Sequence, residues 1–311
     1  MHLILGTGPL GRSVFSELRR REEPVRMINS SGQSTWNDGV TVEKADLMDL
    51  DQAKAAVKGA TIVYQCAQPP YHLWEGRFER LQENIIKAVI EADAKLVVAE
   101  NMYMYGDVDV ERHEGLPNSE QTKKGRIRAK LSERLLELYR RGELQSVIGR
   151  GSDFFGPGVT DSSAGARMFQ PLVEGKQVTV MGDPSRRHTY TFIEDFGRAL
   201  VMLGQADDTY GEPWHVPNAE AVSVTEFVKL AAGIADVEAT IRPMGKWMLR
   251  FGGLFTPAAR ESIEMFYQFE NDFVVSNQKF TNRFGQQATA LEESLAATVE
   301  WYQAQNFYRK R

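Results

Sequence analysis

The chain of 311 residues carries 37 Lys and Arg against 42 Asp and Glu, a formal charge of −5, with 42% hydrophobic and 25% charged residues. This balance argues against a general affinity for nucleic acid, which clustered Lys and Arg drive, and it sits too near the soluble average for a disordered or fibrous chain. The single cysteine, Cys66, cannot form an internal disulfide and suits a reducing compartment.

Short apolar runs alternate with longer amphipathic stretches through the first half. Strands are expected at 2–5, 25–28, 40–43, 62–65, 95–99 and 146–148, and helices at 10–21, 51–57, 74–92 and 125–141. That is a βαβ series, so the expected fold class is α/β, a doubly wound parallel sheet with right-handed crossovers. After Gly149 the pattern breaks into "RGSDFFGPG" and a mixed stretch. The run 193–203 and "PWHVPN" read as a return to the sheet, two or three helices follow within 223–267, and 291–302 is a final amphipathic helix. The expected division is a dinucleotide-binding domain at 1–156 and 190–215, and a smaller, discontinuous, mostly C-terminal substrate region at 157–189 and 216–311. No apolar run reaches the ~18 residues of a membrane span, and "HLIL" gives way at once to glycines where a secretion signal would need a cleavage site. A cytoplasmic protein with a small-molecule substrate and no membrane or nucleic-acid partner is the expectation.

"GTGPLG", from Gly6 through Gly8, Pro9 and Leu10 to Gly11, follows the first strand and opens the first helix. Glycines there let backbone approach a pyrophosphate, and the N–H groups and dipole of the helix N-terminus stabilise its charge. The second strand ends in Asn29-Ser30-Ser31, without the acid that would accept from an adenosine ribose and repel a 2′-phosphate. With Arg12 as cationic partner, NADP is expected over NAD, although Arg12 also fits a solvated role. Asp46 suits either an acceptor for the adenine amino group or a helix cap. No metal site is expected.

The glycine loop, "YQCAQPP" with Ala67, "ENMYMYGD", Lys130, "RGSDFFGPG" and "RRHTYTFIEDFGRAL" occur in an order and spacing that resemble the extended short-chain dehydrogenase/reductases, the NAD-dependent epimerase/dehydratase superfamily. The resemblance implies a Rossmann fold, a nicotinamide cofactor, and a Ser or Thr followed by a Tyr-x-x-x-Lys helix. It places Asn101 on the Ser or Thr, Arg126 on the tyrosine and Lys130 on the lysine that holds the nicotinamide ribose. Arg187 resembles an arginine contacting substrate phosphate, beside His188, and Asp195 matches a carboxylate of the next helix.

A guanidinium stays charged across the whole working pH range and cannot exchange the proton a tyrosine would. Tyr103 is therefore the expected proton donor, with Asn101, Arg126 and Lys130 as the other catalytic candidates; an aromatic wall is the alternative role for Tyr103, and a plain surface lysine for Lys130. Ile127, Leu131, Leu135 and Leu138 form one apolar stripe, which leaves little surface for a helical dimer interface, so a monomer or weak dimer is expected. The functional expectation is an NAD(P)-dependent oxidoreductase acting on a carbonyl or secondary alcohol. The alternatives are a nucleotide-sugar epimerase or dehydratase, and a non-catalytic, NmrA-like NADP sensor.

Overall fold

The computed structural model describes residues 1–34, 36, 40–119, 121–252 and 257–309, which form two compact units. The first unit comprises Met1–Met104, Asn118–Arg150 and Phe196–Val216. Its elements in order are β1 (His2–Leu5), α1 (Pro9–Arg20), β2 (Val25–Asn29), β3 (Val42–Lys44), α2 (Leu50–Val57), β4 (Ile62–Gln65), α3 (Arg77–Glu91), β5 (Lys95–Glu100), α4 (Lys123–Arg140) and β6 (Ser146–Arg150). A seventh strand, Pro213–His215, pairs with β6, and all seven strands run parallel in the order β3, β2, β1, β4, β5, β6, Pro213–His215. The order reverses at β1, whose two neighbours are β2 and β4, and ligands of such sheets bind outside the strand ends at that reversal.

The core follows from the sequence pattern. β1 is buried along its whole length because helices cover both faces of a parallel sheet. On α3 the residues Phe78, Leu81, Ile85, Ile86 and Val89 form one face and pack with Ile127, Leu131, Leu135 and Leu138 of α4 in a single cluster. Each such side chain contributes about 1.5–3 kcal/mol of hydrophobic stabilisation. Gln82 and Asn84, buried among them, donate to the Leu131 and Leu47 carbonyls at 2.9 and 3.0 Å, so each amide nitrogen has a partner in the core.

The second unit comprises Tyr105–Pro117, Gly151–Asp195 and Pro217–Arg311. It is built from three two-stranded ladders and from helices Ala166–Val173, Val224–Ala235 and Leu291–Arg309, around Phe155, Phe169, Tyr190, Phe227 and Tyr302. The expected boundaries at 156 and 190 move to 150 and 195, because Asp153–Phe155 pairs with Tyr190–Phe192 in a ladder of its own outside the large sheet. Residues 105–117, expected in the first domain, also belong to the second unit. Helices Lys246–Gly252 and Pro257–Ser262 follow within 223–267, of which 253–256 lie outside the described residues, and the 3-10 segment Ile263–Phe269 runs past its end. No helix among the described residues is long and apolar enough to cross a membrane.

The register of β5 against β6 sets Glu100 beside Arg150, and the two form a fully buried ion pair at 3.1 Å. Arg150 Nη2 also donates to Ser132 Oγ of α4 at 2.6 Å. Breaking a buried pair strands the remaining charge, so Glu100→Leu is expected to lower unfolding free energy by about 3–5 kcal/mol. Urea denaturation measures this, and a loss below about 1 kcal/mol would mean that Arg150 finds another counter-charge.

Candidate active site

The glycine loop stands at the reversal of the sheet. Gly6 continues β1 through its N–H to the Ile28 carbonyl at 2.8 Å and then turns with φ +106°, a conformation that side chains rarely adopt. A Cβ on Gly11 would lie 2.0 Å from the Gly6 carbonyl oxygen, whereas a Cβ on Gly8 would meet nothing within 4 Å. The first and last glycines are thus required by backbone packing, and Gly8 faces open space. Helix α1 starts at Gly8 and Pro9 with no side-chain cap and no acid in its first turn. Its first N–H groups lack intrahelical partners and favour an anion. These residues fit the pyrophosphate of a dinucleotide.

At the end of β2 the Asn29 side chain is committed to its own loop. Nδ2 donates to Thr7 Oγ1 and the Gln33 carbonyl at 2.7 and 2.8 Å, and Oδ1 accepts from Gly32 and Ser31 N–H at 2.6 and 3.0 Å. Asn29 therefore organises the loop, and Ser30 is left exposed beside it. Trp36, a residue outside every sequence motif, donates its indole N–H to the Thr7 carbonyl at 3.1 Å and lies 5.0 Å from the Arg12 guanidinium. Burial lowers the Arg12 pKa from its ordinary value. Nothing in the spacing marks Trp36, because it sits in an irregular loop between two strands. Asp46 does not cap α2; that role is taken by Asp49, which accepts from Gln52 N–H at 3.0 Å. Asp46 instead accepts from Met48 N–H at 2.9 Å and borders an open groove of about 860 Å³ with Arg77 and Arg80. Ala67, past the end of β4, backs the loop: a Cβ on Gly6 would lie 2.9 Å from its nitrogen.

Helix α4 overturns part of the expected site. Thr122 caps it, accepting from Gly125 N–H at 2.9 Å. Lys130, expected to face the nicotinamide ribose, has a side chain 73% exposed and stands 3.4 Å from Glu79 of α3. Arg126 is exposed as well. The cations on the buried face are Lys124 and Arg128, each 3% exposed and four residues apart. Lys124 Nζ lies 4.7 and 5.5 Å from the Tyr71 and Trp74 ring centres, and the Arg128 guanidinium lies 4.6 Å from both Trp74 and Phe78. Arg128 Nη2 donates to Gln68 at 3.0 Å, and its Nε has no protein partner. Burial lowers the Arg128 pKa to about 10, against the opposing pull of Glu100.

The reason is helical phase. At about 100° per residue, position 124 falls within the arc of Ile127, Leu131, Leu135 and Leu138, whereas 126 and 130 fall outside it. The apolar stripe itself carries that signal, and taking the motif two residues earlier, as "KGRIR", recovers a four-residue spacing of cations.

Asn101 follows β5, and its Oδ1 accepts from the Tyr103 N–H at 3.3 Å. The Tyr103 ring is half-buried edge-on to Tyr71, at 6.4 Å, and tilted against Trp74, at 6.0 Å, so it forms part of the aromatic wall around the cations. In the second unit, Arg187 is exposed and bound to Asp272 through both its backbone N–H and its Nε, at 3.0 and 3.1 Å. His188 is buried between Phe269 and Phe273 with Nε2 3.3 Å from Asp153. Burial alone would raise the Asp153 carboxyl, but His188 and Ser163 hold it below the ordinary range. Asp195 accepts from Thr289 N–H and Oγ1, both at 2.8 Å, and acts as a tie within that unit. Among the described residues no group of His, Cys, Asp and Glu is arranged to hold a metal.

Residues 3–216 match the model of the NAD dependent epimerase/dehydratase family. The chain belongs to this family. Solved structures with a similar fold include the UDP-glucose 4-epimerase of Thermus thermophilus in complex with NAD, at 17% identity and TM-score 0.77, with 97% of this chain and 99% of that one covered. Another is the UDP-glucose 4-epimerase of Thermotoga maritima with UDP-glucose, at 16% identity and TM-score 0.79, covering 98% and 100%. A nucleoside-diphosphate-sugar epimerase of Pseudomonas aeruginosa aligns at 17% identity and TM-score 0.77, covering 98% of each chain. No curated protein sequence matches the chain. The family's members are NAD-dependent enzymes of the epimerase/dehydratase kind, and a nicotinamide cofactor fits the glycine loop described above.

The close approach at Gly11 gives a direct test. Gly11→Ala places a methyl group against the Gly6 carbonyl and is expected to weaken binding of a reduced nicotinamide dinucleotide by about tenfold or more, since the loop must open to admit it. Fluorescence titration checks this, with Gly8→Ala as a comparison that leaves the loop backbone in place.

Proposed function

We propose that the protein is an NADP-dependent oxidoreductase that interconverts a carbonyl and a secondary alcohol. The observation that carries this reading is the Lys124–Arg128 pair on the buried face of α4, in the first unit with the glycine loop. Two desolvated cations stabilise the negative charge that develops on a carbonyl oxygen as it accepts hydride. When bound, the nicotinamide supplies that hydride. The remaining task of the chain is to hold the cofactor, orient the oxygen and supply a proton.

Selection of NADP is supported by two features at the adenosine end. Asn29 takes the place of the usual acid and is spent on its own loop, and Arg12 stands against Trp36 beside the helix N-terminus. A charge-assisted hydrogen bond from Arg12 to a 2′-phosphate is worth about 1.5–3 kcal/mol, or roughly ten- to a hundredfold in affinity.

Nucleotide-sugar epimerisation or dehydration is the second reading, favoured by the family and by the neighbour solved with UDP-glucose. Those reactions open by withdrawing a proton from a sugar hydroxyl, the work of a base. The proposed interconversion shares that requirement in its oxidising direction, so what weighs against this reading is that Arg187, expected at the substrate phosphate, is bound to Asp272.

Purified protein is expected to bind NADPH at least tenfold more tightly than NADH, and Arg12→Ala to erase most of that difference. Equal affinities in the wild type would exclude the 2′-phosphate contact. Turnover is expected against a panel of aldehydes, ketones and quinones, followed by NADPH absorbance. Conversion of UDP-glucose without net cofactor consumption would instead favour the second reading, and tight binding with no turnover of any substrate would favour a sensor.

A further inference from the structure

We infer that Lys124 is the proton donor of the reaction proposed above, with Arg128 as the fixed cation behind it. The inference rests on that oxidoreductase reading and refines it to a named atom, Lys124 Nζ.

The geometry reproduces the four-residue spacing of a proton-donating residue followed by a permanent cation, with both members exchanged. Thr122 anchors the start of α4, and the apolar stripe sets its rotation, so positions 124 and 128 are turned inward together. Tyr71 and Trp74 flank the Lys124 ammonium, and Trp74 and Phe78 flank the Arg128 guanidinium. Aromatic faces attract cations without neutralising them, so such a cage holds a charge.

The two cations are not equivalent. Lysine's compact ammonium serves in general acid–base catalysis, whereas arginine's planar, delocalised guanidinium serves as a charge. That difference assigns the donor to Lys124 and the standing charge to Arg128, whose Nη2 already reaches Gln68 just past β4. Tyr103 contributes its ring to the cage wall.

In the step itself the carbonyl carbon receives a hydride, with its electron pair, from the reduced nicotinamide. The C=O π bond breaks toward oxygen, and that oxygen takes a proton from Lys124 Nζ. The N–H bonding pair remains on the amine, and water returns the proton.

Charge and proton transfer separate in a variant series: Lys124→Met, Lys124→Arg and Lys124→Tyr. Thermal melting and NADPH fluorescence titration come first, and cofactor affinity is expected to stay within about threefold of wild type throughout. Turnover is expected to fall by about a hundredfold or more in Lys124→Met and Lys124→Arg, and to keep at least roughly a tenth in Lys124→Tyr. A readout independent of turnover is the ¹⁵Nζ resonance of Lys124 in the wild type, which is expected to shift on saturation with NADP while that of Lys130 does not. Wild-type rates in Lys124→Arg, or an unmoved Lys124 resonance, would overturn the assignment and leave the oxidoreductase reading standing. A wild type that binds NADPH but reduces nothing would overturn the oxidoreductase reading and the assignment with it.

Discussion

The first unit depends on one close backbone approach, that of Gly11 to the Gly6 carbonyl and of Gly6 to Ala67. No side chain fits in either gap, so β1 can turn into α1 directly beneath the end of β4 only with glycine at both positions. That tight turn brings the uncapped start of α1 to the point where the sheet order reverses. An anion is the natural complement to such a helix start, and the rest of the cofactor site is arranged around it. Asn29 shows how far the arrangement extends, since its single amide joins the second strand to Thr7 within the glycine loop.

The second constraint is rotational. Helix α4 is locked by its Thr122 cap and by the stripe of Ile127, Leu131, Leu135 and Leu138 on the sheet side, and every other position follows. Lys130 and Arg126 are turned to the outside, while Lys124 and Arg128 are turned in among Tyr71, Trp74 and Phe78. Burying two cations is costly unless they are compensated, and here the compensation is partly aromatic and partly the carboxylate of Glu100, itself paired with Arg150. Arg128 remains a cation near neutral pH with its pKa at about 10. The chemistry of this helix is therefore that of two positive charges in an aromatic cage, in a unit whose sheet and glycine loop have the ordinary form.

In the second unit the residues that the family resemblance singled out are used to hold the fold. Asp195 binds Thr289, Arg187 binds Asp272, and His188 lies between two phenylalanine rings. A motif in a sequence records which residue types recur at a spacing, and a structural tie within the substrate unit preserves a spacing as well as a ligand contact does. The ladder of Asp153–Phe155 with Tyr190–Phe192 explains the displaced unit boundaries: its strands are as apolar as those of the large sheet but pair only with each other.

The sequence by itself determined the parallel α/β sheet, the order of its elements and the dinucleotide loop, because hydrophobic period, glycine spacing and strand–turn–helix context are all local. The six strands expected up to residue 148 end within two residues of those observed, whereas 193–203, expected as a return to the sheet, lies in the helix Ile193–Gln205; the absence of an acid after β2 is visible directly. What only the tertiary structure decided was which side of α4 faces the site, which turn residue caps α2 and which loop residue, Trp36, stands beside Arg12. Two cations flank Arg126 at equal sequence distance on one helix, Lys124 and Arg128, and Lys130 lies only two residues beyond. A rotation of about 100° per residue separates buried from exposed among them, and that rotation is set by packing against the sheet rather than by any residue's identity.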